Sequence, residues 1–146
     1  MKMHLHLATR DLDASVAFYS TLLGAAPAKK LDDYALFVTE QPGLELALDL
    51  DERAEAAAGQ HFGIVVETLD AVETQVSRLQ TAGYVTDVER EETCCYANQT
   101  KVWASDPEGR RWETYFVHAD TLERDDEDTS CCRSDAAIEC GATSRV

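Results

Sequence analysis

From Met3 to Thr9 apolar and polar residues alternate, with Leu5 and Leu7 on one face and His4, His6 and Ala8 on the other, which predicts a half-buried strand. A helix is expected next. Asp11 is a suitable N-cap, and Leu12, Val16, Tyr19, Leu22 and Leu23 recur at helical spacing until Gly24 stops the run. Weaker strands are expected over 28–31 and 34–39. After the Pro42-Gly43 turn comes 44–50, in which every leucine shares one face and Glu45 lies on the other. Residues 51–60, rich in Ala, Glu and Gly, read as a linker or a short exposed helix.

The pattern then begins again. A shift of 57 residues lays Thr68-Leu69-Asp70-Ala71 on Asp11-Leu12-Asp13-Ala14 and Val76 and Leu79 on Tyr19 and Leu22. The same shift places His61 on His4, so each histidine opens an equivalent strand and faces away from the side that packs under the helix. Ser105-Asp106-Pro107-Glu108-Gly109 fits a type I turn feeding a closing strand over 111–117. Glu113 is matched with Glu45, at a separation that gives the second copy extra residues before its closing strand. The inserted stretch contains Cys94 and Cys95 and reads as an elaborated loop on a duplicated scaffold.

The expected architecture is α+β, two βαβββ modules forming a cup-shaped mixed sheet. The modules occupy about 1–51 and 60–118 of a single domain over 1–118. Beyond His118 the composition changes: residues 120–146 carry eight acidic and three basic side chains, with few large apolar ones and Cys131, Cys132 and Cys140. A disordered acidic tail over 119–146 is expected.

Composition narrows the function. With 13 basic and 28 acidic residues in 146, the net charge is −15, which argues against a nucleic-acid partner. The field is indifferent to a neutral ligand. The N-terminus meets polar residues too early for a signal-peptide core, and no run approaches a membrane span, so a cytoplasmic location is expected. Five cysteines without zinc-ribbon spacing then point to free thiols.

Adjacent thiols ask for a chemical reason. Neighbours on a regular strand point to opposite faces, so Cys94 and Cys95 can grip one atom only at a bend, which the polar run 97–100 is expected to supply. Such a pair suits a soft centre such as trivalent arsenic, cadmium, copper(I) or zinc. Glu91 and Glu92 would raise the thiol pKa values and Arg90 and Lys101 would lower them, which leaves the local balance open. Tyr96, Trp103 and Tyr115 are candidates for pocket walls or for sheet packing.

By the same alternation His4, His61 and Glu113 fall on the inward sides of their strands. Two imidazoles and one carboxylate on one face of a divalent ion leave positions open, as in non-haem Fe(II) oxygenases, although zinc, nickel and manganese accept such a set too. His6 shares the face of His4 about 7 Å along the strand, so the two do not bind one ion in ordinary strand geometry, and His4 is preferred. Glu45 is either a fourth ligand or a pocket-lining acid.

His4 seven residues before Asp11-Leu12, then Ser15-Val16-Ala17-Phe18-Tyr19 and Leu22-Leu23-Gly24, His61 opening the second copy, and Asp106-Pro107-Glu108-Gly109 before Trp112-Glu113 resemble the vicinal oxygen chelate superfamily. That superfamily includes glyoxalases, extradiol dioxygenases and antibiotic-resistance proteins. Within it, Thr93-Cys94-Cys95-Tyr96-Ala97 with Gln99, Lys101, Val102 and Trp103 resembles the carbon-arsenic lyases, also known as cadmium-induced proteins. The resemblance implies Fe(II) held by His4, His61 and Glu113 and a trivalent organoarsenical such as methylarsenite held by Cys94 and Cys95. It also implies oxygen-dependent release of arsenite. In some relatives glutamine replaces the first-strand histidine. Two other readings stand beside it: a thiol-based cadmium or arsenite trap without catalysis, and a glyoxalase-like zinc or nickel enzyme with Glu45 as a ligand. The tail cysteines could collect metalloid for the loop pair. Whether the cup closes within one chain or between two copies is left open.

Overall fold

The computed structural model describes residues 1–124; the expected tail from 125 onward, with Cys131, Cys132 and Cys140, lies outside the described residues. The chain runs β1 (Met3–Thr9), α1 (Leu12–Leu23), β2 (Lys29–Lys30), β3 (Tyr34–Thr39), β4 (Leu44–Leu50), then β5 (His61–Val65), α2 (Leu69–Thr81), β6 (Asp87–Cys94), β7 (Ala97–Ser105) and β8 (Arg111–Asp120). Each half is a βαβββ unit, with sheet orders β1-β4-β3-β2 and β5-β8-β7-β6. In both sheets the outer pair is parallel, because a crossover helix separates its strands in sequence, and the remaining pairs are antiparallel.

Local chemistry places the helices. Asp11 accepts a hydrogen bond from the Ala14 backbone N–H and caps α1, and Gly24 closes the helix in the left-handed conformation at φ 63°. Thr68 caps α2 through Ala71 in the same way. Each helix packs on one face of its own sheet, and the two helices also touch each other. A single apolar core results, in which Phe18, Tyr19, Leu22, Phe37 and Leu46 of the first half meet Val72, Leu79, Val102 and Trp112 of the second.

Polar contacts join the halves across this core. Tyr19 donates to Asp106 Oδ2 at 2.7 Å and accepts from Trp112 Nε1 at 3.3 Å. Burial and the Asp106 charge push the Tyr19 phenol well above its ordinary pKa, which keeps it a donor. Glu108 accepts from the Arg10 backbone N–H and Nε, both at 2.7 Å, and from Thr9 Oγ1 at 3.1 Å. The expected Asp106–Gly109 turn thus bolts the second module onto the start of the first helix.

Two expectations are corrected here. The inserted stretch is not a loop: it lengthens a hairpin, β6 having 8 residues and β7 having 9 where β2 has 2 and β3 has 6. Its polar run 97–100 is strand, because Gln99, Thr100 and Lys101 are buried with partners rather than solvated. Glu113 is also not the counterpart of Glu45. His4 pairs with Glu45 across β1 and β4, whereas His61 pairs with Arg111 and Glu113 lies opposite Gly63. By register the residue in the place of Glu45 is Arg111.

The tail expected to be disordered from residue 119 is corrected at its start: the closing strand continues to Asp120. The Thr121 N–H then donates to the Tyr96 carbonyl at 2.9 Å and the Tyr96 N–H to the Arg124 carbonyl at 3.2 Å.

Candidate active site

The outer face of the second sheet is built from alternate residues of four strands. Phe62, Ile64, Trp112 and Phe116 point toward the helices, so His61, Gly63, Glu113 and Tyr115 point the other way. The ladder adds Trp103, Lys101 and Gln99 from β7 and Glu89 and Cys94 from β6 to that face. His61 Nε2 stands 3.6 Å from Glu113 Oε1, with no hydrogen bond between them. Bonds of about 2.1 Å meeting at about 90 to 120° would place two donors on one ion about 3.0 to 3.6 Å apart, so the pair fits a divalent metal.

Neighbours fix both groups. Trp103 sets its ring edge-on to His61 with centroids 5.3 Å apart, while its Nε1 donates to Glu89 Oε1 at 3.0 Å and the Arg111 guanidinium covers it at 4.1 Å. Gly63 leaves the space into which Glu113 folds: a methyl there would come within 3.1 Å of Glu113 Oε1. On the first sheet His4 Nδ1 lies 3.8 Å from Glu45 Oε2, again with no hydrogen bond. His6 is engaged differently, its Nε2 lying 2.5 Å from Asp49 Oδ2.

The three expected ligands are therefore split into half-sites. Among the described residues no three His, Cys, Asp or Glu side chains converge on one point. His4 belongs to one sheet and His61 with Glu113 to the other, and β1 and β5 are edge strands of their sheets, each paired on one side only. The modules join instead through their helices and the Glu108 turn. A cavity of about 740 Å³ between the modules, lined by Leu22, Gly43, Val66, Gln75 and Arg78 among others, contains none of the expected site residues.

The thiols sit at the far end of the second sheet, at the tip of the long hairpin. Cys94 pairs with Ala97, so Cys95 and Tyr96 form a two-residue turn, with φ of 56° and 68°. That is the type I′ conformation, which Asn-Gly adopts readily and which strains bulkier side chains. The turn answers the geometric problem of adjacent thiols: the two sulfurs are 3.4 Å apart, Cys94 buried and Cys95 exposed. Two bonds of about 2.3 Å, as thiolates make to a soft centre, span about 3.4 Å when they meet at about 95°. Gln99 holds the turn from below, its Nε2 donating to the Cys94 carbonyl at 2.9 Å. Residues 121–124 hold it from the side, with the Arg124 guanidinium 6.0 Å from the Tyr96 ring.

Residues 3–114 match the model of the glyoxalase/bleomycin resistance protein/dioxygenase superfamily. The chain belongs to that superfamily. Its members generally bind a metal ion, which agrees with a histidine and carboxylate pair in each module. Relatives narrow the comparison. The chain is 41% identical over 133 residues to a protein of Thermomonospora curvata named trivalent organoarsenical cleaving enzyme, covering 90% of this chain and 87% of that one. It is 36% identical over 137 residues to one of the same name from a Bacillus strain, covering 93% and 85%. It is also 37% identical over 147 residues to the cadmium-induced protein CadI of Mycobacterium tuberculosis, covering 94% and 96%. Among solved structures, a superfamily member from Alicyclobacillus acidocaldarius superposes with a TM-score of 0.66 at 22% identity over 82% of this chain and 92% of that one, a likeness of fold.

Sequence reasoning missed Gly63, Glu89 and the close packing of Trp103 on His61, and weighed Lys101 as a charge near the thiols and as part of a resemblance but not as a neighbour of Glu113. A glycine inside a strand is a signal of close approach and could have been read.

Proposed function

We propose that the protein is an Fe(II)-dependent dioxygenase that cleaves the carbon-arsenic bond of trivalent organoarsenicals such as methylarsenite, releasing arsenite. The observation that carries this reading is a thiol pair, spaced for one soft atom, on the same sheet face as a histidine and carboxylate spaced for one metal ion. Relatives named for organoarsenical cleavage support it.

The thiols bind substrate by condensation. Each displaces one hydroxyl from the arsenic, the thiol proton leaving with that hydroxyl as water, so two As–S bonds replace two As–O bonds and arsenic keeps its carbon substituent. The rigid turn supplies proximity, since both sulfurs are already at bonding separation. His61 and Glu113 hold the metal, and His4 completes the set. Bound Fe(II) supplies dioxygen activation. Trp103, itself buried, walls one side of the donor pair beside His61.

The missing third ligand comes from a second copy in this reading. The open outer edges of β1, which carries His4, and of β5, which carries His61, are left to meet their counterparts in another chain. Two copies related by a two-fold axis then form two identical sites. Glu45, near His4, is a pocket acid here rather than a ligand, which leaves positions open for oxygen.

The test is oxygen consumption alongside arsenite release from methylarsenite by iron-loaded protein. One-to-one coupling is expected, with no product under anaerobic conditions. Anaerobic turnover would exclude the dioxygenase. Stoichiometric arsenical capture without turnover, insensitive to His61→Ala, would support the thiol trap instead.

A further inference from the structure

Lys101 lies mid-strand in β7 with its side chain 2% exposed. Nothing in the thiol or histidine chemistry above requires a cation there, and burying one is costly unless it is compensated. Its Nζ stands 3.3 Å from Glu113 Oε2 and 3.9 Å from Glu89 Oε2, beside the Trp103 ring at 5.4 Å. The two carboxylates beside Nζ compensate the buried cation.

The carboxylates depend on it in turn. Glu89 Oε2 and Glu113 Oε2 are both buried and make no hydrogen bond, so the neighbouring ammonium is what offsets their burial. Glu113 Oε1 instead faces His61. Two oxygens of one carboxylate therefore answer to different partners.

We propose that Lys101 is a positioning residue that reserves Glu113 Oε2, so that Glu113 presents Oε1 alone, as a monodentate metal ligand, beside His61. The proposal rests on the metal-site reading above. A carboxylate without that restraint can offer both oxygens to an ion, and the second oxygen would occupy a position the reaction leaves for oxygen or substrate.

The experiment is titration of full-length, metal-free protein with Co(II), anaerobically, following the d–d bands for affinity and coordination number. Lys101→Met is expected to shift the Co(II) bands toward a higher coordination number, because both Glu113 oxygens are then free to bind. One phenylarsenite per chain should still be captured, since both thiols remain. Wild-type bands in the variant overturn the role of Lys101. Should wild-type protein itself take up no Co(II), the metal-site reading fails, and the two failures are distinct. If Lys101→Met does not fold, Lys101→Met with Glu89→Gln removes one of the two buried acids and is compared with Glu89→Gln alone, with the same outcomes deciding.

Discussion

Gly63 lies directly opposite Glu113 in the β5–β8 ladder, and it is the absence of a side chain at 63 that lets the Glu113 carboxylate turn toward His61. An added methyl would meet Oε1 and a Tyr115 ring carbon, both at 3.1 Å. Gly63→Ala should therefore displace Glu113 while improving strand propensity, so stability changes by less than about 1 kcal/mol. Metal affinity should fall at least about tenfold. Thermal melting beside metal titration checks this; an unfolded variant, or one with wild-type affinity, contradicts it.

If His4 is contributed by a second copy, defects at the two histidines complement each other. His4→Ala and His61→Ala should each be inactive alone. After co-refolding of equal amounts, half of the dimers are mixed and each mixed dimer holds one intact site, so about one quarter of wild-type activity should return. No recovery, with mixed dimers demonstrably present, would place the third ligand within one chain.

The Cys95-Tyr96 turn is held by backbone bonds to residues 121–124. A chain ending after Arg124 should bind phenylarsenite as the full chain does, which also tests whether Cys131, Cys132 and Cys140 pass metalloid to the turn. A chain ending after Asp120 loses two hydrogen bonds, each about 1 kcal/mol, and should bind up to about thirtyfold more weakly. Equal affinity of all three chains would mean that Gln99 and the hairpin fix the thiols unaided.

Glu108 ties the modules together through Arg10 and Thr9. Burial acts to raise its pKa, but the hydrogen bonds from the Arg10 backbone and side chain and from Thr9, with the Arg10 charge, outweigh it and hold the carboxyl below its ordinary value. A group depressed in the folded state stabilises fully above the unfolded pKa and loses that contribution as pH falls through the folded one. Glu108→Gln should then cost about 2 kcal/mol at neutral pH. The gap between the melting temperatures of variant and wild type should narrow on acidification below about pH 4.5. A gap that widens toward acid would contradict the sign.

The duplicated βαβββ plan, the helix caps and the alternation of faces along each strand were legible because they depend on nearest-neighbour periodicity: Leu5 and Leu7 alternate with His4 and His6 whatever the rest of the chain does. The long hairpin was not. Glu89, Gln99 and Lys101 are polar by residue type, and only their cross-strand partners make burial possible: Trp103 and Lys101 for Glu89, the Cys94 carbonyl for Gln99, and Glu113 with Glu89 for Lys101. The sequence by itself determined which residues carry soft and hard donors and on which side of each strand they lie. Tertiary structure alone decided their grouping, putting Glu113 beside Gly63 rather than in the place of Glu45, and His4 in a different sheet from His61. Strand periodicity sets a side chain's face, whereas register and module packing set its partner, and those are summed over contacts that no short stretch contains.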